Sequence, residues 1–110
     1  MPSYLLQIAY TPEALKALIA KPQDRGEIVR KSIEKLGGKV IGTWMSFGDY
    51  DVVSLVEMPD NVTAASFALA VAAGGSCKSV KTTPLLSMEE GVAALKKAGA
   101  STYKPVGAKK

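Results

Sequence analysis

Two stretches of this chain follow one plan. Residues 4–11, YLLQIAYT, form an apolar run that meets Pro12, and residues 50–58, YDVVSLVEM, form a second that meets Pro59. Each run is followed by a helical pattern, a Gly-Gly pair (Gly37-Gly38, then Gly74-Gly75) and a further strand-like segment. Two strand-helix-strand halves joined by a hairpin leave few folds open. The pattern predicts an α+β, ferredoxin-like βαββαβ chain, with a four-stranded antiparallel sheet and both helices on one face.

The local signals agree with that order. Thr11-Pro12-Glu13 reads as a helix start, with Thr11 as N-cap and Pro12 in the first turn. Lys21-Pro22 interrupts this helix, since the residue before a proline is pushed out of the helical region. A second piece follows with Val29, Ile33 and Leu36 at i, i+4 and i+7, and Gly37-Gly38 ends it. Residues 39–47 form the second strand, whose alternation puts Val40, Gly42, Trp44 and Ser46 on one face and Ile41, Thr43, Met45 and Phe47 on the other. Gly48-Asp49 predicts a two-residue type II′ turn. Pro59-Asp60-Asn61 opens a helix that is apolar around most of its circumference. Residues 77–86 form the fourth strand, and Pro84 assigns it to an edge. Ser87 and Glu90 make a capping box for an extra C-terminal helix reaching Lys97. Residues 1–99 are read as one domain and residues 100–110 as a flexible basic tail.

Two helices on one face leave the other face bare. The first strand is apolar on both sides, and the second offers Trp44 or Phe47 whichever way it turns. With 47% hydrophobic residues in 110, the chain is more apolar than a small monomer needs. The expected remedy is a homodimer or higher homo-oligomer through the open sheet face, built as a dimeric α/β barrel.

Composition narrows the partners. The net charge is +4, but Lys104, Lys109 and Lys110 fall in the tail, so the body is near balance and nucleic acid is not an expected partner. Cys77 is the sole cysteine, which excludes an intrachain disulfide and fits the cytoplasm. The first residues have no basic leader pattern, and the most apolar run is shorter than the ~20 residues of a membrane span, so no membrane association is expected.

The chain has no histidine. That removes histidine bases, catalytic triads and histidine metal sites, and a lone Cys77 does not make a zinc site. Neither glycine pair opens a helix as a phosphate cradle requires. No metal and no cofactor are expected. The catalytic candidates are Asp51 and Tyr50. Asp51 would act as a base if it faced a cavity mouth; otherwise it accepts backbone N–H groups at the turn or pairs with Arg25. Neighbours on a strand face opposite ways, so Asp51 is assigned to the face of Val53 and Leu55, and Tyr50 to that of Val52 and Ser54. Arg25, Trp44, Tyr4 and Tyr10 are the ligand-binding candidates. Arg25 would bracket an anion, Trp44 would wall a pocket, and Tyr4 and Tyr10 share a strand face. Two functional readings follow. One is a small oligomeric protein that binds a small molecule or serves an assembly role. The alternative is a cofactor-independent enzyme, isomerase-like or monooxygenase-like, acting on a small aromatic or carbonyl substrate.

Several motifs occur together: Pro22-x-x-Arg25, Leu36-Gly37-Gly38-Lys39, and Phe47-Gly48-Asp49-Tyr50-Asp51-Val52-Val53. With residues 75–82 they make the chain resemble the GYD-domain family of small bacterial and archaeal proteins. The naming residues would be Gly48, Tyr50 and Asp51, with Asp49 inserted between Gly48 and Tyr50. The resemblance spans roughly residues 4–95. It implies a dimeric α/β-barrel fold and no established activity.

Overall fold

The computed structural model describes residues 1–107. Lys109 and Lys110 of the expected basic tail lie outside the described residues. Four strands, β1 (Ser3–Tyr10), β2 (Lys39–Met45), β3 (Val52–Glu57) and β4 (Cys77–Leu85), form one sheet in the order β2-β3-β1-β4. All three pairings are antiparallel. The helices are α1 (Pro12–Ala20), α2 (Arg25–Lys35), α3 (Asn61–Ala73) and α4 (Met88–Gly99). This is the α+β ferredoxin-like arrangement with an added C-terminal helix. Within one chain the sheet stays open: β2 and β4 are its edges, and it does not close into a barrel.

The helix boundaries follow side-chain chemistry. Thr11 accepts from the Ala14 amide, Asp24 from Gly26, Asp60 from Thr63, and Ser87 with Glu90 completes a reciprocal capping box. Each supplies a partner to amide groups that an α-helix leaves unbonded at its start. Gly37 ends α2 at φ 86°, a backbone state that a side chain would strain.

Residues paired across the ladder share a face. Tyr4, Leu6 and Ile8 of β1 and Val52, Ser54 and Val56 of β3 point to the helices and are buried. Tyr4, Leu6, Ile33, Val56, Met58, Ala64 and Phe67 form the core between the sheet and the helices α2 and α3. Two irregularities reset the edge strands. The register of β2 shifts between Val40 and Gly42, so Ile41 is bulged. Val40 therefore sits opposite Val56 on the helix side, whereas Gly42 sits opposite Leu55 on the open side. The simple alternation read from sequence, which put Val40 with Gly42 and Trp44, fails at that bulge. The β4 register shifts beside Tyr10, which pairs with Cys77 while Ala9 pairs with Ser79.

The β2–β3 connection is also wider than a two-residue turn. Residues 46–51 lie between the strands, closed by the Ser46 amide donating to the Asp51 carbonyl at 2.9 Å and the Ser46 hydroxyl donating to the Tyr50 carbonyl at 2.7 Å. Gly48 takes φ 130° within this loop.

α4 stands apart. None of its residues is buried, and it packs closely on no other element. The molecule is accordingly elongated, 62 × 32 × 22 Å, with a radius of gyration of 17.8 Å against about 13 Å for a compact chain of this length.

Where α2 gives way to β2, the backbone passes hard against the core. A Cβ on Gly38 would meet the Glu57 carbonyl oxygen and the Met58 sulfur at 2.6 Å and Ile33 at 2.9 Å. Gly38→Ala should therefore destabilise the fold by about 1–3 kcal/mol through overpacking. Urea unfolding checks this, and an unchanged midpoint would mean that the packing there is looser than described.

Candidate functional site

Asp51 lies in the loop that enters β3. One carboxylate oxygen accepts from the Tyr10 amide at 2.8 Å, and the Asp51 amide donates to the Ile8 carbonyl, also at 2.8 Å. The residue thus extends the β1–β3 ladder past its last regular pair and holds the end of β1 to the loop. That carboxylate is engaged with backbone, the geometry expected of a structural tie. Tyr50 donates nothing to the ladder; its carbonyl holds Ser46. Asp51 and Arg25 form no ion pair among the described residues.

A concavity of about 840 Å³ opens on the helix side of the sheet, between α2 and α3. Its α2 wall is Arg25, Ile28, Val29, Ser32, Lys35 and Leu36, one stripe at helical spacing. Its α3 wall carries Ser66, Phe67, Ala70 and Val71, and its floor Ile8, Tyr10 and Cys77. The cleft exists because α2 lies over β2 and α3 over β4, leaving the sheet centre roofed only where Ile33 and Phe67 meet the core. The β4 bulge sets Cys77 beside Tyr10 at its floor. Burial raises the Tyr10 phenol above its ordinary value, opposed by the Arg25 charge. Burial also raises the Cys77 thiol, again opposed by Arg25. Both groups therefore stay protonated at neutral pH, and the thiol is not an activated nucleophile.

The ligand candidates divide among three places. Arg25 and Tyr10 come together in the cleft. Tyr4 is 2% exposed, inside the core, and its hydroxyl donates to the Asn61 side-chain oxygen. Trp44 lies on the opposite side of the sheet. It heads a cross-strand row of Trp44, Val53, Gln7 and Lys81, beside a row of Gly42, Leu55, Leu5 and Thr83. The indole lies over Gly42, where a Cβ would meet its ring at 2.5 Å. The open face thus has an apolar centre of Trp44, Val53, Leu55 and Leu5, with Lys81, Lys39 and Glu57 towards its margins.

Sequence reasoning missed the cleft. Val29 and Leu36 were legible as helical spacing, but α3 is apolar around most of its circumference, so little in its pattern marks which side faces a gap. Cys77 is half-buried at the cleft floor, a place that its position after a glycine pair did not announce.

Removing the tie at Asp51 leaves the Tyr10 amide without its acceptor. Asp51→Ala should cost about 1–3 kcal/mol in unfolding free energy, measured by urea unfolding; an unaltered midpoint would release Asp51 from a structural role.

Comparison with known proteins bears on these surfaces. The chain is 28% identical over 80 residues to the "glutamine synthetase and cystathionine beta-lyase binding protein" of Thermus thermophilus, covering 73% of this chain and 84% of that protein. No solved structure gives a significant match. The GYD domain model matches residues 4–95, most of the chain, and the protein described here belongs to the GYD-domain family.

Proposed function

We propose that this protein is a non-catalytic binding module that dimerises through its open sheet face, forming the α/β barrel across two chains, and engages a metabolic enzyme. The observation that carries the reading is the uncovered apolar centre of the sheet, with Trp44 57% exposed beside half-buried Val53, Leu55 and Leu5. The helices of the core, α2 and α3, pack on the other face. An apolar centre with a charged margin is the anatomy of a protein interface, and a second copy offers a complementary surface of the same kind.

α4 supports the same reading. Met88, Val92 and Leu95 are exposed at i, i+4 and i+7, and Leu85 and Leu86 continue that apolar surface to the open face beside Leu55. A capped amphipathic helix with nothing against its apolar side gains little from tertiary packing. Across a dimer, α4 would close over the partner's sheet margin.

A further protein partner is suggested by α3. Val62 and Leu69, one heptad apart, are 80% and 70% exposed on its outer side. A helix apolar around most of its circumference belongs between two layers rather than at a surface. The Thermus relative is named for binding two enzymes, and an enzyme surface is the occupant we assign to this side. With Asp51 engaged by the Tyr10 amide, no described carboxylate stands free at the cleft to act as a base. This favours the binding reading over the enzymatic one. A lone thiol and the absence of a described helix able to cross a membrane suit a cytoplasmic setting.

Light scattering should give a mass of twice the 11.5 kDa chain or a higher multiple, and Leu55→Arg should give a folded monomer. Leu69→Glu should keep the dimer and lose co-sedimentation with glutamine synthetase or cystathionine β-lyase from the same organism. A wild-type chain that is monomeric at micromolar concentration would contradict the assembly. A dimer that sediments with neither enzyme would contradict the partner.

A further inference from the structure

We infer that the cleft between α2 and α3 is a binding site for a small amphipathic carboxylate, with the anionic end at Arg25 and the apolar body along the two helices. This goes beyond the assembly reading and does not depend on it, because the cleft lies on the opposite side of the sheet from the dimer face.

Three observations carry it. At about 840 Å³, the cleft falls in the range of small-molecule sites, about 300–1,000 Å³. Its walls are mainly aliphatic and aromatic, among them Ile28, Val29, Phe67 and Val71, so the body of a ligand would displace water from apolar surface. At one end stands an arginine with no carboxylate at ion-pair distance among the described residues. Arg30, on another side of the same helix, is by contrast paired with both Glu27 and Glu34.

The Arg25 charge reaches Tyr10 and Cys77 at the floor, so it faces the cleft and not open water alone. Asp51 is turned to the Tyr10 amide and does not line the cleft, though its charge still reaches the Tyr10 hydroxyl and helps to keep it protonated. A guanidinium binds a planar carboxylate through two parallel hydrogen bonds, and the Tyr10 hydroxyl, protonated at neutral pH, can donate a third. A phosphate is less well served. The Gly26 amide, second in α2, is already taken by the Asp24 carboxylate at 2.9 Å, which leaves one cation and a negative charge there, a balance that opposes a dianion more than a singly charged carboxylate. Lys35 lines the far end of the same stripe, about 15 Å along the helix axis at α-helical rise, which sets the length a ligand can use.

Cys77 is the only cysteine in the chain and sits on the cleft floor, so its alkylation reports occupancy directly. The full-length protein is treated with N-ethylmaleimide in the presence of decanoate or of decanol, both below their aggregation limits, and the modified fraction is followed by mass. Decanoate should protect Cys77 at a concentration at least tenfold lower than decanol. Arg25→Gln, checked for an unchanged melting curve, should erase that difference, and Arg25→Lys should restore part of it. Equal protection by the two compounds would make the cleft a plain apolar groove and overturn the carboxylate assignment. Absence of protection by either would overturn the site. Running the comparison on the wild-type chain keeps the result independent of whether any variant folds. Running it also on Leu55→Arg separates this site's failure from a failure of the dimer.

Discussion

A sheet has two faces, and this chain supplies cover for one. The four strands place Tyr4, Leu6, Val56 and their neighbours against α2 and α3, where burial of apolar area drives folding. The same pleat sends Leu5, Val53, Leu55 and Trp44 the other way. Because strand side chains alternate, the buried face cannot be built without building the second one. What that second face carries is therefore free to be selected for, and here it is apolar at the centre. Gly42 belongs to the same design: it leaves room for the indole of Trp44, which a side chain there would displace. Two sheets that pack face to face sit about 10 Å apart, so what stands on this face decides whether another sheet can approach.

The helix layer has its own incomplete cover. α2 and α3 each follow one sheet margin, and they close on each other only around Ile33 and Phe67. Beyond that contact the gap becomes a cleft with an arginine at its end that has no ion pair among the described residues. The two surfaces are thus consequences of one geometry. A narrow four-stranded sheet with two helices buries a modest core, and a domain of this size keeps a large share of its surface exposed. Surface left over in this way is available for function, and its chemistry differs on the two sides: apolar and flat on one, concave with a positive charge on the other.

Much of the fold was written locally. Thr11, Asp60 and Ser87 with Glu90 announce helix starts through their side-chain oxygens, and Gly37 announces an end through its left-handed backbone. These signals work because they satisfy specific backbone groups within a few residues. The repeat of strand, helix and Gly-Gly then fixed the topology. The bulges were not legible. Ile41 sits in an unbroken β-like run, and only pairing with β3 shows that its neighbours Val40 and Gly42 part to opposite faces. Asp51 is a second case. Its role depends on the Tyr10 amide, 41 residues away in sequence, and adjacent strand spacing alone could not tell a tie from a base. The cleft was hidden for a further reason: α3 is apolar around most of its circumference, with only Asn61, Thr63 and Ser66 polar, and periodicity carries little information when so little alternates.

Trp44 offers the most direct test of whether the open face is covered in solution. It is the only tryptophan in the chain and is 57% exposed in the single chain. Its emission and its quenching by acrylamide can be followed across a dilution series, with circular dichroism confirming that the fold persists. Cover by a second copy predicts a blue-shifted indole, shielded from acrylamide at micromolar concentration, that becomes quenchable as the protein is diluted. An indole that is fully quenchable at every concentration, in a chain that remains folded, would show that the face is bare and contradict the account.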